Sequence, residues 1–235
     1  MAKQDALFTS GRLGNVIFYR WKGIGCARMA PGRVRQTKAT KQSAKDFGRA
    51  VKLSSLLRGS LSPALPNYRS REIMYKFNAA LLGWLRQEKT IEEHIPFAGL
   101  ELNDKSALRS RVKKELLVDF QTKGKVLITL PGLKIPNDIA APSNTSLIRM
   151  DIAVAGCMLN FPQHTDAAAA IIEIPYKAGW MPAITKELKF NCKAGSINLV
   201  VASVHYIAKK DGQQKEIFDD RWTPAAIVAA VVGSL

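Results

Sequence analysis

The chain has 235 residues, 47% of them apolar, with 35 Lys and Arg against 19 Asp and Glu and a formal charge of +16. That is room for one large or two small domains with a sizeable core, and the basic surplus points toward polyanions. No apolar run reaches the roughly 18 residues of a transmembrane helix, and Lys3, Gln4 and Asp5 interrupt any secretory signal core, so a cytoplasmic protein without a membrane span is expected.

The charge is concentrated at the start. Residues 1–60 carry 13 Lys and Arg against Asp5 and Asp46, while residues 61–235 carry 22 against 17. Nucleic acid is the first partner to consider; an anionic membrane or an acidic protein comes second. The three cysteines, Cys26, Cys157 and Cys192, are widely spaced and form no CxxC, so reduced, packed thiols are expected.

In chain order, Ala6–Phe8 reads as a short strand, and Gly11 and Gly14 bracket Arg12 and Leu13 at a spacing suited to a bend. Asn15–Trp21 is β-branched and aromatic and reads as a strand. Lys22-Gly23 is a two-residue turn and Gly25–Met29 the return strand. In that register Trp21 pairs with Ile24, Tyr19 with Cys26 and Ile17 with Arg28. On the other face Arg20 pairs with Gly25, Phe18 with Ala27 and Val16 with Met29. Val16, Phe18, Ala27 and Met29 form an apolar face expected in the core. Tyr19, Trp21 and Arg28 share the opposite face, which either stacks on bases or anchors a protein, or is buried between layers. Ile17 and Ile24 on the same face favour burial.

Pro31-Gly32 ends the hairpin, and Arg33 and Arg35 follow on a loop. A helix starts near Thr37 or Thr40, either of which could cap it. Lys38, Lys41, Lys45, Arg49 and Lys52 recur at helical spacing and share one face. Ala44, Phe47, Val51 and Ser54 are expected to dock that helix on the core. Pro63 and Pro66 mark a loop over Ser60–Asn67. The period of Ile73, Phe77, Ala80, Leu81 and Trp84 predicts a core helix from about Ser70 to Glu88, antiparallel to the first. Thr90–Ser110 is polar and irregular and is taken as a domain transition.

Beyond it the pattern changes to short strands: Leu116–Phe120, Val126–Leu130, Ser146–Ala155, Ile171–Tyr176, Thr185–Asn191, Ile197–Lys209 and Ala225–Val232. Lys123-Gly124 and Asp211-Gly212 are expected as tight turns. Asn160–Ala170, with Pro162, reads as a break. Ala225–Val232 is uniformly apolar, hence a strand buried on both sides or one offered to a neighbour. The expected fold is α+β. An N-terminal arm and hairpin (1–36) and a helical hairpin (37–95) join an antiparallel β-sandwich of about seven strands (110–235).

Catalytic signatures are lacking. His94, His164 and His205 form no HxxH or HxxxH pair, and His164 near Asp166 is a weak acid–base candidate. No GxSxG or P-loop occurs, and Gly23–Arg28 lacks the third glycine and following helix of a dinucleotide motif. The adjacent acids Asp219-Asp220 and Glu92-Glu93 point apart and make no dyad.

The segment GRLGNVIFYRWKGIGCARMAP, followed by TKATKQSAKDFG, resembles the N-terminal pattern of a group of uncharacterised proteins from Bacteroidetes-type bacteria. The resemblance covers about a fifth of the chain and implies helices and a β-rich remainder after this segment. It carries no catalytic residue and no activity. The sequence therefore points to a non-enzymatic, cofactor-free protein that binds DNA or RNA with weak sequence preference. Arg33, Arg35, Lys38, Lys41, Lys45, Arg49 and Lys52 would meet phosphates, and Tyr19, Trp21 and Arg28 would meet bases. The alternative is a structural protein that self-assembles as an oligomer or filament through its N-terminal arm and C-terminal strand. A ligand-binding sandwich rests on fold analogy alone.

Overall fold

A computed structural model describes residues 3–5, 8–32, 36–65, 69–86, 97–121, 124–160, 162–210 and 213–233. The fold is α+β with antiparallel sheets. The chain forms two compact units, Met1–Ser43 and Ala44–Leu235. The division falls within the first helix, a few residues after the boundary expected at 36. No division separates 37–95 from 110–235, because both segments contribute to one core.

The first unit holds a four-stranded antiparallel meander: β1 (Lys3–Asp5), β2 (Phe8–Leu13), β3 (Val16–Trp21) and β4 (Ile24–Met29). The β3–β4 register is the one that alternation predicts, from Trp21 opposite Ile24 to Val16 opposite Met29. Lys22 and Gly23 both have positive φ, at 49° and 83°, as a two-residue turn between twisted strands requires. Arg12 and Leu13 do not form the expected bend. They are β2 residues opposite Ile17 and Val16, and the turn follows at Gly14-Asn15. Ala6 lies outside the described residues.

Helix α1 spans Lys38–Ser60. Thr37 caps it, its hydroxyl accepting from the Thr40 N–H at 3.1 Å. From Lys38 to Lys45 every residue is exposed. The seat expected from Ala44, Phe47, Val51 and Ser54 is replaced by Ala50, Leu53, Ser54 and Leu57, and Phe47 is 51% exposed. Both sets have helical period. The leucines in the second remove more apolar area from water, and they decide the rotation. A 3₁₀ turn at Ser62–Ala64 leads to α2 (Arg71–Arg86), where Ser70 accepts from the Ile73 N–H and Ile73, Phe77, Leu81 and Trp84 are buried as the period predicts. A single turn, α3 (Leu108–Arg111), follows within the stretch expected to be irregular up to Ser110.

Among the described residues ten strands follow residue 110, not seven. They are β5 (Leu117–Gln121), β6 (Lys125–Leu130), β7 (Leu133–Ile135), β8 (Thr145–Met158), β9 (His164–Pro175), β10 (Gly179–Met181), β11 (Ile184–Lys189), β12 (Ser196–Lys210), β13 (Gln213–Glu216) and β14 (Ala225–Val232). They form three sheets: β11-β6-β5, β10-β7, and a five-stranded sheet in which β12 pairs with β8, β13 and β14 while β9 pairs with β8. Strand β9 runs through most of the expected break. Its alanines, Ala167–Ala170, have low β-propensity and hide a strand that pairing with β8 enforces. Lys123, Asp211 and Gly212 lie outside the described residues. The strands flanking each of those turns pair antiparallel.

The five-stranded sheet is covered on both faces. On one, Ala153, Ala155 and Cys157 of β8 and Ile197, Leu199 and Val201 of β12 join Leu53, Leu57, Phe77 and Leu81 of the helices. On the other, Met150, Ile152 and Val154 with Val200, Ala202 and Val204 join Val126, Ile128 and Leu130 of β6. Strand β14 is internal over Ala225–Ile227: it pairs with β12 on one edge, and Gly99, Leu100 and Leu102 hydrogen-bond its other edge. Leu57→Ala should therefore cost about 2–5 kcal/mol. Phe47→Ala should stay within about 0.5 kcal/mol. Urea denaturation monitored by circular dichroism measures both, and the order would invert if the helix were seated on Phe47.

Candidate nucleic-acid interface

Alternation along β2–β4 divides the first unit's side chains between two faces. One face carries Arg12, Ile17 and Arg28 in a cross-strand row, then Tyr19 beside Cys26, then Trp21 beside Ile24. Tyr19 is 39% and Trp21 64% exposed, and Ile24 is exposed as well. The burial that Ile17 and Ile24 favoured is thus not found: among residues 10–32 none is buried. The Arg28 guanidinium sits 5.8 Å from the Tyr19 ring centre, within cation–π range. Arg12 donates through Nε to the Gly14 carbonyl at 2.9 Å, which holds the side chain close to the turn. The opposite face carries Leu13, Val16, Phe18, Ala27 and Met29. It is not the core expected of it, since Leu13, Ala27 and Met29 are exposed.

Helix α1 brings the lysines of the predicted stripe to its surface: Lys38, Lys41, Lys45 and Lys52 are all exposed. Arg49 is different. Its guanidinium donates to the Leu159 carbonyl from Nε at 3.1 Å and Nη2 at 2.7 Å. At 100° per residue, Arg49 lies about 90° from the centre of the Ala50–Leu57 seat, whereas Lys45 and Lys52 lie about 130–150° away. The arginine is close enough to fold inward and fasten the helix to the end of β8. It therefore leaves the set of phosphate contacts. Arg33, Arg35, His94, Glu92 and Glu93 lie outside the described residues.

One polar cluster escaped the sequence reading. Ser203 Oγ is 3.1 Å from His205 Nε2, and His205 Nδ1 is 2.6 Å from Glu216 Oε1. Asp151 Oδ2 lies 3.4 Å from the same Nε2, and Arg149 Nε donates to Asp151 at 3.0 Å. The order Ser–His–carboxylate is that of an activated nucleophile. Ser203 is fully buried, however, so its hydroxyl meets no substrate in this conformation. The cluster instead satisfies polar groups on the sheet face that also seats the helices. Its sequence signal was the i, i+2 spacing of Ser203/His205 and of Arg149/Asp151, visible only once β8 and β12 are paired.

The other polar candidates have structural partners. Asp166 accepts from the Asn191 N–H at 2.8 Å. Asp219 pairs with Arg221, which holds its carboxyl down at about 2, and Asp220 pairs with Lys105. Burial pushes the Cys157 thiol up to about 11. Among the described residues no three His, Cys, Asp or Glu side chains converge as metal ligands, and no helix is long and apolar enough to cross a membrane. No protein-family model and no curated protein matches the chain. Removing the Arg49 side chain would orphan the buried Leu159 carbonyl. Arg49→Ala should cost about 1–3 kcal/mol in thermal or chemical denaturation. Lys45→Ala should change stability by less than about 0.5 kcal/mol.

Proposed function

We propose that this chain is a non-enzymatic nucleic-acid-binding protein with weak sequence preference, and that it favours single strands. The observation that carries the proposal is the shared exposure of Tyr19, Trp21 and Arg28 on one face of the N-terminal sheet. Aromatic rings on an open sheet face offer stacking platforms to bases that are already unpaired, worth about 1–3 kcal/mol per base. Such stacking is tolerant of sequence because every base has a π face. Lys38, Lys41, Lys45 and Lys52 add exposed cations along α1 for phosphates. Nothing in this set reads base edges through paired donors and acceptors, which is why weak sequence preference is proposed.

Fluorescence anisotropy with labelled oligo(dT) and oligo(U) tests the proposal. With about five phosphates neutralised on a single strand, log K should fall against log salt with a slope of about −3.5. Trp21→Ala should weaken binding by about 5- to 150-fold, the equivalent of one lost stack. Replacing Lys38, Lys41, Lys45 and Lys52 together with Gln should make the slope shallower by about 3. Absence of binding, or binding indifferent to both salt and Trp21, would overturn the proposal.

A further inference from the structure

A cavity of about 330 Å³ opens where the turn α3, the segment that follows it and strand β14 meet. Every residue lining it belongs to the Ala44–Leu235 unit, so the site is defined without reference to the N-terminal sheet. Its floor is core: Met150 is fully buried, and Leu108, Val112 and Ala226 are nearly so. The gap falls where the cover of β14 ends. The hydrogen bonds that Gly99, Leu100 and Leu102 make with its outer edge stop at Ile227 among the described residues. There the register against β12 slips, with Val201 opposite Ile227 and Val200 opposite Ala229, and Val228 is the extra residue. Such a bulge bends the strand, and Val228 lines the gap.

The mouth of the cavity is charged. Arg109, Lys113 and Lys114 stand exposed at its rim, with Glu101 and Glu115 beside them. Glu101 is already engaged: its carboxylate accepts from the Leu108 N–H at 2.7 Å and from the Arg109 N–H at 3.4 Å. Arg109 faces that carboxylate at 3.9 Å, and among the described residues no ion pair engages Lys113 or Lys114. The apolar part of the lining is aliphatic, with no ring among the described residues to stack on a planar ligand.

We infer that this cavity holds a single aliphatic chain with one anionic headgroup, a free medium-chain fatty acid. The aliphatic floor suits the chain. The rim sets three cations against two carboxylates, and one headgroup carboxylate neutralises the surplus. A small polar anion would leave the floor uncovered, and a cationic amphiphile would meet like charge. The volume lies at the small end for ligand sites, with room for a chain of roughly ten carbons. It does not suit the two long chains of a membrane lipid. Met150, unbranched and adaptable, ends the floor and can shift to fit the chain. The inference does not rest on nucleic-acid binding.

Methyl NMR of the full chain, carrying 13C-methyl methionine and titrated with decanoate below about 1 mM, is the test. Met150→Leu, a volume-conserving change, assigns the floor resonance. Met29, exposed on the N-terminal sheet, is the control for binding elsewhere. A saturable shift at Met150 is expected, with a Kd on the order of 100 µM. From hexanoate to decanoate, each added CH₂ should tighten binding about three- to fourfold. Decyltrimethylammonium, the same chain with the opposite charge, should bind at least about fivefold more weakly. Lys113→Glu combined with Lys114→Glu should weaken decanoate by at least about fivefold. Val228→Trp should fill the gap and abolish the shift. Circular dichroism verifies the fold of each variant. If Val228→Trp does not fold, the rim variant decides, because its two lysines are exposed. No shift at Met150 with decanoate would overturn the inference. So would equal binding of decyltrimethylammonium, or a Met150 shift that the rim variant leaves at full strength.

Discussion

Two long antiparallel strands, β8 and β12, are apolar on both faces, and both faces must be kept from water. The helices supply one cover and the β5-β6-β11 sheet with its neighbours the other. Small residues on β8, Ala153 and Ala155, lie on the helix-covered face and allow close approach. Gly156 points the other way, where a Cβ would collide with Thr165 and with Asn198. Strand β14 extends the sheet and takes part in both cores, which is why it reads as uninterrupted apolar sequence. The polar cluster around His205 continues the helix-facing side of β8 and β12 beyond the apolar seat, where Arg149, Asp151 and Glu216 satisfy one another.

This constraint also decides what α1 has left to offer. The helix is seated only from Ala50 onward, and Arg49 fixes the start of the seat by holding the Leu159 carbonyl. The turns before it carry exposed lysines with no apolar duty. The N-terminal sheet is the converse case, with none of residues 10–32 buried. Its two faces differ in chemistry, one aromatic and cationic, the other apolar. That division sets the face suited to stacking and charge apart from the apolar one.

Local rules made a good part of this legible in the sequence. The hairpin register follows from alternation and a Lys-Gly turn, and α2 follows from an undisturbed helical period. Strands β6, β12 and β14 are apolar enough to announce themselves. What stayed hidden depends on distant partners. Strand β9 is alanine-rich and forms because β8 lies beside it. The rotation of α1 was a contest between two periodic sets, settled by which one meets the sheet. Arg49 looked like one more stripe residue until Leu159, 110 positions away, claimed it. The Ser203–His205–Glu216 contacts exist only because β12 folds beside β13. The exposure of Tyr19 and Trp21 was undecidable from residues alone, since Ile17 and Ile24 on the same face favoured burial.

The most direct test is fluorine NMR of the chain labelled with 5-fluorotryptophan, titrated with oligo(dT). Its four tryptophans serve as internal controls. Trp84 is buried in the helix core, Trp222 lies under Arg111, and Trp180 is exposed on β10 of the other unit. A shift confined to the Trp21 resonance, lost on raising the salt, is the predicted result. No change in any resonance, or a change at Trp180 with Trp21 unmoved, would contradict it.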